Sequence, residues 1–227
     1  YNTPTDVVES IAIGLSAQAA TRGVAVGKET KASGLDSTAL GYGAEAKGSG
    51  SAAIGNNAVA DGPDNVALGR SSVAVTGNFN NDGAKGEKSL AVGMDVHADG
   101  ATSVAVGNNT TAEGLGSIAI GALYNGSAAL DDNVAQTSVQ TVAKSSTGQG
   151  FLYNTAIGAG SSTEGNNSVA IGSLARVSTK QQNISSPDRA VALGYYATAS
   201  ASKAIAIGER ATSNEYQGTA LGLSLIH

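Results

Sequence analysis

The chain has 227 residues, a formal net charge of −5 and no cysteine, which excludes disulfides and thiolate metal sites and argues against a basic face for nucleic acid or anionic lipid. Aromatic residues make up only 4% and Trp is absent, while Gly supplies 31 residues and hydrophobic residues still reach 41%. A thick globular core is excluded by these numbers, and a thin one filled by small side chains fits them.

No signal-peptide pattern opens the chain at Tyr1, and no apolar run is long enough to span a bilayer, so this stretch is not expected to insert in a membrane directly. From Ile11-Ala12-Ile13-Gly14 onward one pattern recurs, aliphatic–Ala–aliphatic–Gly. Its anchor glycines are Gly14, Gly27, Gly41, Gly55, Gly69, Gly93, Gly107, Gly121, Gly158, Gly172, Gly194, Gly208 and Gly222. Most neighbouring anchors are fourteen residues apart, the period of a solenoid in which each repeat is one coil. The pattern is cut off at both ends, so the chain is expected to be a piece of a longer protein.

Within each coil, β-branched pairs such as Ile13/Ile11, Val26/Val24, Val106/Val104 and Ile207/Ile205 alternate at period two and predict a short strand with those residues facing the coil interior. After the glycine, Ala44/Ala46, Ala58/Ala60, Val96/Ala98 and Ala197/Ala199 predict a second strand, small residues in and polar residues such as Lys31, Glu45 and His97 out. A second bend follows at Gly34, Gly48, Gly62, Gly100, Gly114 and Gly165. Glycine at both bends is expected to supply positive φ, and the Ser or Asn that opens the next strand to bond local backbone.

On that assignment of faces, the residue two before each anchor points outward. It is Ala12, Ala25, Ala39, Ala53, Ala67, Ala91, Ala105, Ala119, Ala156, Ala170, Ala192, Ala206 and Ala220. An apolar stripe of this length must be covered, and the expected cover is the same stripe on other copies, which makes these alanines the candidate oligomer interface.

Three insertions interrupt the period, near 78–88, 122–154 and 178–188, and are the places where binding specificity is expected. The first offers Asn80, Asn81 and Asp82. The second offers Asp131 and Asp132 ahead of a Val134, Val139, Val142 spacing that suits either a short capped helix or an extra hairpin. Around the third stand Arg176, Lys180 and Arg189. Tyr42, Tyr195 and Tyr196 follow anchor glycines and are expected at bends, more as covers for apolar edges than as binding platforms.

Chemistry is poorly served. His97 and His227 have no partner at ligand spacing, the many serines have no evident base beside them, and Asp99, Glu113 and Glu164 read as a solvated row. No catalytic residue, metal site or cofactor is expected.

The motif Asn167-Ser168-Val169-Ala170-Ile171-Gly172, with Ser103-Val104-Ala105-Val106-Gly107 and Ser117-Ile118-Ala119-Ile120-Gly121, resembles the head repeat of trimeric autotransporter adhesins, the YadA-like head family of Gram-negative bacteria. The resemblance covers nearly all of the chain outside the insertions. It implies an all-β fold, a left-handed parallel β-roll of 14-residue coils with three chains side by side as a homotrimer. It also implies display on the bacterial cell surface, anchored to the outer membrane through parts absent from this chain, and residues 1–227 forming a single head. Neither a heptad stalk, a barrel nor the neck motif that joins head to stalk is visible.

The function this implies is non-enzymatic attachment to an extracellular-matrix protein or a host-cell receptor. Two alternatives stand beside it: a structural spacer of a surface fibre, and a trimeric β-helix acyltransferase. The second needs a hexapeptide period and a catalytic His between subunits, so the fourteen-residue period argues against it.

Overall fold

The structure, a computed structural model, describes residues 9–75, 88–122, 141–143, 153–178 and 188–222. The chain divides into two compact units, Tyr1–Asn108 and Asn109–His227, each all-β and each a parallel β-solenoid.

In the first unit, the strands Ile11–Ile13, Val24–Val26, Thr38–Leu40, Ala52–Ile54, Val66–Leu68, Leu90–Met94 and Val104–Asn108 form one parallel sheet in chain order. The two-residue strands between them, Gln18–Ala19 through His97–Ala98, form a second parallel sheet. The second unit repeats the plan, with Ile118–Ala122, Thr155–Ile157, Val169–Ile171, Val191–Leu193, Ile205–Ile207 and Thr219–Leu221 in its first sheet. Register is set by the repeat itself, so that Ala170 lies beside Ala156 and Ala192, and Ile171 beside Ile157 and Leu193. Like residues thus stack on like along each sheet.

The faces of the first sheet are the reverse of the expectation. Ala25, Ala39, Ala53, Ala67, Ala91, Ala105, Ala119, Ala156, Ala170, Ala192 and Ala206 are all 0% exposed inside their own coils. Ala12 and Ala220, in the end coils, are exposed and half-buried. The branched aliphatics flanking them lie on the outer face: Ile54, Ile120, Ile171 and Ile207 are 38–40% exposed. The reason is thickness. The interior is shared by these alanines, by Ala44/Ala46, Ala58/Ala60 and their counterparts from the second sheet, and by Ser37, Ser51, Ser103, Ser117 and Ser168. A gap filled by single methyl and hydroxyl groups has no room for a row of isoleucines at native density. The second sheet keeps the expected faces, with Ala46, Ala60 and Ala98 buried and Lys31 and His97 exposed.

Some interior hydroxyls, those of Ser37, Ser51, Ser72 and Ser161, bond a carbonyl of the bend beside them. Ser37 Oγ donates to Gly34 O at 2.6 Å and Ser51 Oγ to Gly48 O at 2.7 Å, each joining the strand start to the bend before it.

The two bends use glycine differently. At the anchor bend Gly194 has φ +128°, and a Cβ there would stand 2.6 Å from the Gly208 carbonyl oxygen. At the second bend Gly48 lacks positive φ; its Cβ would run into the Gly62 carbonyl and stand 2.6 Å from Pro63 N, so close approach alone demands glycine there. Positive φ in that bend falls instead two residues later, on Gly50. At the matching place in other coils it falls on Asp36, Asp64 and Asn167, residue types that tolerate it well, but also on Arg22, Thr102, Lys203 and Gln217.

Candidate interaction surface

Two chemically different outer faces result. On the second sheet of the first unit, Gln18, Lys31, Glu45, Val59, Val73 and His97 succeed one another, one per coil. Lys31 Nζ lies 2.9 Å from Glu45 Oε1, and Lys47 Nζ lies 3.1 Å from Glu45 Oε2. Hydrogen bonds from both lysines hold the Glu45 carboxyl below its ordinary pKa. At a bend nearby, the Arg22 guanidinium grips Asp36 through Nε at 2.5 Å and Nη2 at 2.6 Å, and lowers the Asp36 pKa in the same way. This is a water-facing surface.

The first sheet's outer face is uncharged and, apart from Thr38, Thr155 and Thr219, apolar. In the first unit it carries Val24/Val26, Thr38/Leu40, Ala52/Ile54, Val66/Leu68, Leu90/Val92 and Val104/Val106; in the second, Ile118/Ile120, Thr155/Ile157, Val169/Ile171, Val191/Leu193, Ile205/Ile207 and Thr219/Leu221. None of these residues is charged. A parallel sheet normally has both faces covered, and here one face of each unit is open.

The bends present the tyrosines. Tyr42 is exposed with Lys28 Nζ 5.5 Å from its ring centroid, and Tyr195 and Tyr196 stand with ring centroids 6.4 Å apart. Tyr216, which the sequence reading did not single out, is also exposed; Lys203 Nζ sits 5.1 Å from its ring centroid and donates to its hydroxyl at 2.8 Å. Its signal was available, since Lys203 and Tyr216 lie almost one period apart.

Of the loop candidates, Arg176 is half-buried on the outer face of the second sheet between Ser162 and Thr198, and Arg189 is exposed at a bend with φ +56°. Asn80, Asn81, Asp82, Asp131, Asp132 and Lys180 lie outside the described residues, as do Val134, Val139 and His227. Within 122–154 one part is regular: Thr141–Ala143 is a second-sheet strand paired with Thr110–Ala112 and with Ser162–Thr163. Val142 therefore belongs to a coil. The clue was the match of Thr141-Val142-Ala143 to Thr110-Thr111-Ala112, inward residues in both.

Among the described residues, no group of three or more His, Asp or Glu is placed to hold a metal ion, and no helix is long and apolar enough to cross a membrane.

The family model of the YadA head domain repeat, which holds two copies of the repeat, matches residues 20–44, 46–75, 98–123, 155–175, 186–211 and 199–224, together more than half of the chain. The chain belongs to the YadA head family. The longer stretches between matched spans, 76–97, 124–154 and 176–185, cover most of the three insertions. Among solved structures, the collagen-binding domain of the Yersinia adhesin YadA is 24% identical, with a TM-score of 0.36, over 68% of this chain and 83% of that one. No curated protein matches the chain. As a YadA-like head, the protein is of the adhesin type.

Proposed function

We propose that residues 1–227 form one non-enzymatic adhesin head that works as a homotrimer on the bacterial surface and attaches to an extracellular-matrix protein or a host-cell receptor. The observation that carries the reading is the uncharged, half-exposed aliphatic face of the first sheet in a chain of the YadA head family. Fully burying an Ile, Leu or Val side chain is worth about 1.5–3 kcal/mol, so even the part left open here, summed over both units, is a strong drive to self-association. Three copies that turn these faces to one another cover them and leave the second sheets in water. The interface passes from the alanines to the branched residues beside them. Threefold number and left-handed coiling come from the family likeness.

Attachment then gains from multiplicity, because three identical outer faces per head and many heads per cell turn weak contacts into avidity. The loops near 78–88, 122–154 and 178–188, with the arginines Arg176 and Arg189 at the third, are the proposed ligand-facing elements; the regular second sheet supports them. Anchoring to the outer membrane belongs to other parts of the parent protein.

The test is a solid-phase array of collagens, other matrix proteins and host-cell glycans, probed with the protein and with a form lacking the three loops. Saturable binding by the first and its loss in the second support the adhesin reading. Equal binding by both forms moves the contact to the coils, and no binding by either favours the spacer.

A further inference from the structure

The residue four before each anchor glycine opens the first-sheet strand, and it closes the coil in two distinct ways. In uninterrupted coils the backbone itself makes the closure. Ser51 N donates to Gly48 O at 3.2 Å and Ser103 N to Gly100 O at 3.1 Å, while the Ser51 hydroxyl also donates back to Gly48.

Where residues have been added to the second bend, the returning amide is received by a side chain. Ser89 N donates to Asn65 Oδ1 at 2.9 Å, Asn154 N to Ser117 Oγ at 3.3 Å, and Ala190 N to Ser168 Oγ at 3.2 Å. The separations of 24, 37 and 22 residues look unrelated, yet in each case donor and acceptor occupy the same position in consecutive coils. All three lengthened second bends share the arrangement; the residues added between Ala122 and Thr141 lie in an anchor bend instead. Asn65 goes further, because its Nδ2 also donates to Ala74 O at 3.2 Å, where the chain leaves the coil. One buried amide thereby holds both the departure and the return.

Among the described residues, the same bond occurs once where nothing has been added. Ser168 N donates to Asn154 Oδ1 at 3.0 Å across the standard separation of 14, and Asn154 Nδ2 donates to Gly165 O. Asn154 is fully buried and spans the Gly165–Ser168 bend as Asn65 spans its lengthened one.

We propose that this position is a return clamp that converts a second bend into a port for added loops, and that the Gly165–Ser168 bend is such a port carrying no added residues. Once a side chain fixes both ends of a bend, lengthening the bend costs only loop entropy, which grows slowly with length. Without the clamp, the same lengthening also strips a buried amide of its carbonyl. The clamp thus lets surface loops change while the coils beneath keep their register.

The test is thermal unfolding of the 227-residue protein carrying a ten-residue Gly/Ser loop between Asn166 and Asn167, against the same loop between Ser49 and Gly50. The first is expected to lower Tm by no more than about 2 °C and the second by at least about twice that. Asn154→Ala should remove the tolerance, so that the loop costs more in that background than in the parent. Asn154→Ser, which keeps an acceptor as Ser117 and Ser168 do, should retain it. Equal losses at the two bends overturn the proposal. So does a loop penalty unchanged by Asn154→Ala; should that variant fail to fold, the two-bend comparison in the parent still decides.

Discussion

Ala170 and Ile171 are consecutive in one strand, yet Ala170 is 0% exposed and Ile171 39% exposed, so the smaller residue is the core and the larger the surface. The inversion recurs along the first sheet of both units.

Enlarging the interior should be costly. Ala170→Val adds two methyl groups between sheets already filled by methyls and hydroxyls, and overpacking of this kind costs about 1–3 kcal/mol. Chemical denaturation should show the loss; a neutral result would mean that the interior has slack.

Ile171→Asp should do the opposite. The side chain points away from the coil, so far-UV circular dichroism should keep its strand signal while sedimentation shows loss of the assembled form. Unfolding in place of dissociation would return Ile171 to the core.

Gly194→Ala introduces a Cβ at φ +128° against the Gly208 carbonyl, and backbone strain of this type costs about 1–3 kcal/mol before the clash is added. A Tm drop of several degrees is expected. Tolerance would show that neighbouring coils can part at the anchor bend.

Asp36 and Glu45 both have depressed pKa values, caused chiefly by hydrogen bonds from Arg22 and Lys31. A carboxyl with a lowered folded pKa stabilises fully above its unfolded value, 3.8 for Asp and 4.5 for Glu, and the contribution fades as pH falls through the folded value. Both pairs are solvent-exposed, so the effect is small and should weaken further in salt. Tm measured from pH 7 to pH 3 should fall below about pH 4.5, and less steeply in Asp36→Asn with Glu45→Gln. An identical slope in the double variant would contradict this.

How far the sequence carried depended on what kind of signal each feature left. The period is written in the glycines, so coil length, parallel sheets and register are legible in the sequence alone. The second strand was legible because Lys31 and Glu45 cannot face a dry interior. The first strand had no such marker: Val169-Ala170-Ile171 is apolar on both faces, and alternation says that the faces differ without saying which is buried. Composition held the answer, since a core poor in aromatics and rich in alanine is thin, and a thin core selects the small face. The Asn65 and Asn154 clamps were not legible, because an Asn before a strand also suits an ordinary turn and only the bond to the next coil distinguishes it.

The most direct test of the inverted strand is sedimentation equilibrium of the 227-residue chain at micromolar concentration. With small residues inside and aliphatics outside on an uncharged face, the account predicts a single species of three times the chain mass, stable on dilution. A stable monomer whose Ile54, Ile120, Ile171 and Ile207 remain open to water would contradict it.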